Sequence, residues 1–406
     1  MSGFEEDFSP AEITYEPVNV KDILVEMKDT AEVLIDLAYS AVLYQNEALA
    51  REVIRLEHEM DILDMRARMG LMMAARSPDD AEALAPVMSI VTATETISNA
   101  AGDIVSIVLE EIGLPEAMRA ALPEAIETLV EGVVTAESSF VGRTLEDIDL
   151  ESTTGVRVIA LRRGDDWLLN PGPTTTIEAD DIAFLRGPDA AISAVHESLT
   201  GHPYDPPLHD APDLLDLDRA VTMIIHMKNL SELAVDLAYS SVLFNSEGLA
   251  EEVKNLEIEV DAMQSRFEAW TLQAAAEAPD PVALRGLIRI GTATEVISDA
   301  AVDIIEGVVR TGGVHPVVQL AVEESDEIIM RYEVQPGSQL DGIHVTEGVP
   351  DVEPTMTVIA VRRPDEGWLL GGDSDNELQA GDVLITKGTR TAAEAFESLS
   401  GNGSSP

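Results

Sequence analysis

The chain repeats itself at a constant offset of 200 residues, and this repeat constrains its fold more than any other feature. Asp36 to Asp61 (DLAYSAVLYQNEALAREVIRLEHEMD) is answered by Asp236 to Asp261 (DLAYSSVLFNSEGLAEEVKNLEIEVD), and TATETISNAAGDI from Thr92 by TATEVISDAAVDI from Thr292. The register continues through VIALRR at Val158 and VIAVRR at Val358, and through ESLTG ending at Gly201 and ESLSG ending at Gly401. Each half is therefore one copy of a two-part unit. The stretch 202–216, with Pro203, Pro206, Pro207 and Pro212, reads as an exposed linker between the copies.

Within each copy the hydrophobic period changes. From Val20 to Leu122 apolar residues recur at three-and-four spacing in long stretches without internal proline, with breaks near Asn46, at Ser77-Pro78 and at Gly113-Leu114-Pro115. This predicts an antiparallel bundle of three to four helices. From Glu127 to Thr200 short β-branched runs (Val156 to Leu161, Ile182 to Leu185) alternate with Gly, Asp and Pro, and a helix from Asp189 closes the segment. The expected fold class is thus a duplicated α+β multidomain chain in which helical bundles (18–126 and 217–326) alternate with small α+β modules (127–201 and 327–401).

The bundles carry acidic pairs at four-residue spacing, which places both carboxylates on one helix face about 6 Å apart along the axis. They are Glu32/Asp36, Glu57/Asp61 and, with Asn99 at the middle position, Glu95/Asn99/Asp103 in the first copy, and Glu232/Asp236, Glu257/Asp261 and Glu295/Asp299/Asp303 in the second. Like charges so placed repel, and oxygen-only ligands on facing helices suit Mg²⁺, Ca²⁺, Mn²⁺ or a carboxylate-bridged iron site. A solvated acidic face is the competing reading for any single pair; repetition of the whole set in both halves favours metal. Asn99, where the second copy has Asp299, weakens the first set.

Charge narrows the partners. Seventy-six acidic residues against 25 basic ones give a net charge of −51, spread along the chain. Nucleic-acid binding is not expected, for want of a basic footprint, and an anionic membrane surface is equally unfavourable. The composition, with only five lysines, is similar to that of proteins from salt-in halophiles, in which salt of molar order shortens the Debye length to about 3 Å. The absence of cysteine rules out disulfides, thiolate metal sites and cysteine nucleophiles. No apolar run reaches the roughly 18 residues of a membrane span, and Met1 to Pro10 is acidic, so a cytoplasmic chain without membrane insertion is expected.

Two resemblances follow. Leu56-Glu57-x-x-x-Asp61 with Thr94-Glu95-x-Ile97-Ser98-Asn99-Ala100-Ala101-x-Asp103-Ile104 resembles the PhoU family, whose E(D)-x-x-x-D motifs imply multinuclear metal clusters; Glu295-x-Ile297-x-Asp299 matches the third-helix motif more closely. The α+β module resembles the TrkA C-terminal (RCK-C) domain through Phe140-Val141-Gly142-x-Thr144-Leu145, Val158 to Arg163 and Ala179-Asp180-Asp181-Ile182, and in the second copy through Val358 to Arg363 and Ala380-Gly381-Asp382-Val383. That resemblance implies modules that pair, within the chain or in a homodimer, and sense ions or small ligands such as cyclic di-AMP. It also implies a membrane cation channel or transporter as partner. Arg162, Arg163, Arg362 and Arg363 end the matched strands and could fork onto phosphate; surface pairing with acids is the competing reading. No Gly-x-Gly-x-x-Gly follows a strand, so no NAD site is expected, and no catalytic motif is present, so an enzyme is not expected. The functional expectation is a regulator of potassium or other cation transport; the alternative is a metal-binding adaptor for phosphate uptake.

Overall fold

The computed structural model describes residues 19–115, 118, 128–187, 189–204, 215–278, 280–311, 315–324, 327–343, 356–363, 367–370, 377–390, 392–393 and 396. The acidic segment Met1 to Pro10, most of the expected linker 202–216 and part of the second module lie outside these residues.

The first bundle comprises α1 (Val20–Tyr44), α2 (Glu47–Ala74) and α3 (Pro78–Leu109). Side-chain caps set the starts: Asn19 accepts from the Lys21 amide, Asn46 from Leu49 and Ser77 from Asp80, each satisfying one of the orphan donors of a first turn. Gln45, at φ 48°, makes the left-handed turn between α1 and α2. One expectation fails: Pro86 lies inside α3, where it removes the amide that would bond the Glu82 carbonyl. The helix continues because its downstream face, from Val87 through Ile97 to Ile107, is buried in the core.

The first module follows with β1 (Thr128–Val133), short helices α4 (Leu145–Ile148) and α5 (Leu150–Thr154), β2 (Arg157–Arg163), β3 (Asp166–Leu169), β4 (Ile182–Gly187) and α6 (Asp189–Thr200). Its strands form an antiparallel sheet in the order β1-β4-β2-β3, with Val130 opposite Leu185 and Arg162 opposite Trp167. The second half repeats the plan: α7 (Leu215–Leu243), α8 (Glu247–Glu277), a 3₁₀ turn (Pro281–Leu284), α9 (Arg285–Thr311) and α10 (Pro316–Glu323). These precede β5 (Ile328–Glu333), β6 (Thr357–Arg363), β7 (Gly367–Leu370) and β8 (Val383–Gly388). The second sheet, β5-β8-β6-β7, shares even the bulge: the register shifts between Val158 and Ala160 in one and between Val358 and Ala360 in the other.

The two bundles pack on each other through reciprocal contacts. Tyr39 Oη lies 2.9 Å from Thr294 Oγ1, and Tyr239 Oη lies 3.2 Å from Thr94 Oγ1. The Lys28 ammonium sits 5.3 Å above the Tyr239 ring, and that of Lys228 sits 4.9 Å above Tyr39. Each half thus gives the other what it receives, the arrangement of an isologous dimer within one chain. A continuous core joins both bundles and one face of each sheet, through Ile159 and Phe184 on one side and Ile359 and Ile385 on the other. The opposite sheet faces have their own cores, closed by Ile192, Val195 and Leu199 of α6 in the first module and by Phe396 in the second.

Candidate functional site: a charged junction and a carboxylate face

Helical spacing puts Lys28, Glu32 and Asp36 on one stripe of α1, and Lys228, Glu232 and Asp236 on the matching stripe of α7. Lys28 pairs with Glu32 at 2.8 Å and Lys228 with Glu232 at 2.6 Å. One turn further, each helix meets the last strand of its own module: Arg186 of β4 donates to Asp36 at 2.8 Å, and Lys387 of β8 to Asp236 at 2.9 Å. Glu327, beside β5, crosses between modules and reaches Arg186 at 2.5 Å, Arg157 at 3.1 Å and Lys387 at 3.4 Å. A Ser152–Thr389 hydroxyl pair at 2.6 Å completes the contact. Both bundles and both modules therefore meet at one buried ionic network.

Its electrostatics follow from burial set against pairing. Burial alone would raise the Glu327 carboxyl, but Arg186, Lys387 and Arg157 hold it well below the usual carboxylate range. Lys387, although buried, is held well above its ordinary value by Asp236, Glu327 and Glu32. Burial pushes Asp236 up to about 6, with Lys387 opposing. Removing any one partner would leave an uncompensated charge inside, the expensive outcome for a buried network.

The remaining acids gather elsewhere. Glu57 and Asp61 of α2 face Glu95 and Asp103 of α3; burial pushes Glu57 up to about 7, with repulsion from Asp61, Asp103 and Glu95 adding to it and His58 opposing. Its carboxylate lies against bare backbone, since a Cβ on Gly102 would come within 2.4 Å of it. Asn99 spends its amide on Glu95 at 2.8 Å. In the second bundle Glu257, Asp261 and Asp299 bring one carboxylate oxygen each to within 4.8 Å of one another, a spacing that could hold a metal ion. Glu295 adjoins them and is raised by burial and by Asp299, Asp261 and Glu257. Asp303 stands one turn along α9, at the wall of a groove with α3. The six carboxylate pairs are thus two populations. Glu32, Asp36, Glu232 and Asp236, expected among the metal ligands, are bound to cations of the chain itself, which corrects that expectation. The others form the two carboxylate faces.

The strand-end arginines also divide. Arg163 forks onto Asp181 with two 2.8 Å bonds and also donates to the Thr176 carbonyl; Arg363 forks onto Asp382 at 3.1 and 2.9 Å and donates to the Glu377 carbonyl. These guanidinium planes clamp the turn before the last strand, where Asp180 (φ 69°) and Gly381 (φ 94°) take left-handed backbone. The expectation of an open phosphate fork at Arg163 and Arg363 is corrected accordingly. Arg162 lies 5.8 Å over Trp167 and donates to the Gly164 carbonyl, and Arg362 is exposed. The sequence reading passed over Arg157, Arg186, Glu327 and Lys387. It also passed over Lys28 and Lys228, although two lysines 200 residues apart in a chain with five should have marked them. Beside the junction, Leu145, Glu146, Asp149, Arg157 and Pro171 of the first module line a cavity of about 350 Å³ whose wall Thr389 of the second module completes.

Comparison with known proteins agrees with this division. The family model for the PhoU domain matches residues 24–108 and 224–308, and that for the TrkA-C domain matches 129–200. The Ktr system potassium uptake protein C of Bacillus subtilis (strain 168) is 33% identical over 66 residues, which are 16% of this chain and 29% of that protein. This chain therefore spans under a third of that relative's length. A solved KtrA RCK C domain in complex with cyclic diadenosine monophosphate is 25% identical over 18% of this chain and 84% of its own, with a TM-score of 0.17. The GsuK channel bound to NAD is 12% identical over 77% of this chain and 65% of its own, with a TM-score of 0.18. Superposition of whole chains is poor in both cases. Among the described residues no helix is long and apolar enough to cross a membrane.

Proposed function

We propose, starting from a chain that carries two PhoU domains and a TrkA-C domain, that it is a non-enzymatic regulator of cation transport, potassium first, acting at the cytoplasmic face of a membrane transporter. The observation that carries this reading is the junction: Arg186 and Lys387 tie each module's last strand to a long bundle helix, and Glu327 ties the modules to each other. A ligand that changes the spacing of the modules must then either strain or release α1 and α7, which is how a sensor would bias a helical transmitter. The cavity beside Arg157 and Thr389 is the natural entry for such a ligand. Its acidic rim, Glu146 and Asp149, disfavours a bare anion at low salt. The test is calorimetric titration of the full chain with cyclic di-AMP and other nucleotides in molar KCl, alongside potassium uptake in a deletion strain. Binding that is lost on Arg157→Ala, together with altered uptake, supports the proposal; no nucleotide binding and normal uptake sink it.

A second reading is favoured by one observation, the Glu257–Asp261–Asp299 cluster. With a divalent or iron centre there, the chain would act as a metal-dependent PhoU-type adaptor for phosphate uptake. Elemental analysis of protein purified without chelator distinguishes the two: stoichiometric metal lost on Asp299→Asn supports this reading, and metal-free protein excludes it. Low-salt unfolding would support the salt-in origin inferred from composition.

A further inference from the structure

The same end of each bundle exposes large apolar side chains at matching positions. Met72 is 64% exposed and Leu272, 200 residues on, is 67% exposed. Met88 of α3 is half-buried at the rim of its patch, and Ile288 of α9, again 200 residues on, is exposed. Around Met72 the patch deepens into a groove of about 450 Å³ between the end of α2 and the start of α3, walled by Leu71, Leu84, Met88 and Asp303. Met65 and Met73 are also exposed on α2, and Val282 is exposed in the 3₁₀ turn of the second bundle. From Ala81 to Thr92 the groove follows about 16 Å of α3, three turns at 1.5 Å per residue. In a chain of net charge −51 that coats itself with acid, large exposed apolar residues at equivalent positions in both copies are not surface noise. The first rim is acidic, with Asp79, Asp80 and Glu82 in the first turn of α3 and Asp303 in the wall; the second carries Glu277 and Asp280.

We infer that the two patches are paired docking sites, each for one amphipathic helix with a cationic polar face, presented by a partner that carries two such helices. Apolar anchors at i, i+3, i+4 and i+7 fill a groove of this length, methionine adapts its shape to them, and the acidic rim receives their lysines or arginines. The pseudo-two-fold symmetry of the bundles doubles the site. This inference is independent of which ligand the modules take.

The probe is a designed 18-residue leucine–lysine amphipathic helix, followed by fluorescence anisotropy and calorimetry against the full chain in molar KCl, where the acidic coat is screened. The expected result is two peptides per chain. Met72→Gln or Leu272→Gln alone should remove one of them, and the double variant should weaken binding at least tenfold. Both side chains are exposed, so the variants should melt as the parent does. Ile258→Gln, 63% exposed but about 14 residues up the same helix as Leu272, should change nothing. The inference is overturned by any of three results: the double variant binds as the parent does, a leucine–glutamate peptide binds equally well, or phosphatidylcholine–phosphatidylglycerol vesicles bind with the same dependence on Met72 and Leu272.

Discussion

Charged residues settle this molecule one side chain at a time. Arg186 serves Asp36 and Glu327 together from inside the protein. Arg186→Met should therefore cost about 3 kcal/mol or more, because it takes from the buried Asp36 its guanidinium partner and from Glu327 one of its three cations. Combining it with Asp36→Asn should recover part of that loss, a coupling that chemical denaturation of the four-protein cycle will show. Glu57 gives the opposite sign. Below pH 4.5 it is protonated in both folded and unfolded chains; between about 4.5 and 7 only the folded chain keeps the proton, so stability falls as pH rises through that window. Glu57→Gln should consequently raise stability at pH 8 by about 1 kcal/mol, allowing for solvent screening, and leave it unchanged near pH 4. Thermal melts across that range check it, and a bound divalent ion at this face would reverse the gain. These residues also mark where the sequence could be read and where it could not. The four-residue acidic spacing was plain, but spacing says nothing of what stands opposite, and the cations that claim Glu32, Asp36, Glu232 and Asp236 include groups about 150 residues away.

At the scale of elements, boundaries were legible because caps are local. Asn46 and Ser77 each bond an amide three residues on, and both helix breaks fall where those residues sit. The hairpin partner β3 and the short helices α4 and α5 were not legible: four or five residues carry too little period to distinguish them from loop. Pro86 was overlooked within the third helical stretch, and burial downstream carries the helix through it. Pro86→Ala should restore a donor to the Glu82 carbonyl and stabilise the chain by about 1 to 2 kcal/mol, less whatever proline contributes by stiffening the unfolded state. The turns held by Arg163 and Arg363 belong to this scale too. Asp382→Asn should loosen the start of β8, speeding hydrogen exchange at Val383 and Leu384 while leaving α7 to α9 protected.

The whole molecule was the most legible scale and the junction the least. A constant offset announced two copies of a two-part unit, and two copies are found. How the copies face each other depends on contacts such as Tyr39 with Thr294, which no pattern within either copy encodes. The net charge belongs here as well. Its self-repulsion acts on the folded chain as a whole, so the melting temperature should climb with KCl from 0.1 M towards molar concentrations, and circular dichroism at fixed pH will show it. Chloride salts of equal ionic strength should act alike if screening alone is responsible.

The reciprocal Tyr39 and Tyr239 contacts have one more consequence. An ancestor with a single copy would have made them between two chains, each bound to its twin at the mercy of concentration; fusion through the linker fixes the partner at high effective concentration. Freed from self-pairing, the halves could drift apart, and they have: one copy keeps Asp299 where the other has Asn99, one holds its module with arginine and the other with lysine. A homodimer must change both sides at once, whereas this chain can specialise one side and keep the other in reserve. Cut within the linker, its halves should still find each other, but only as strongly as their concentration allows.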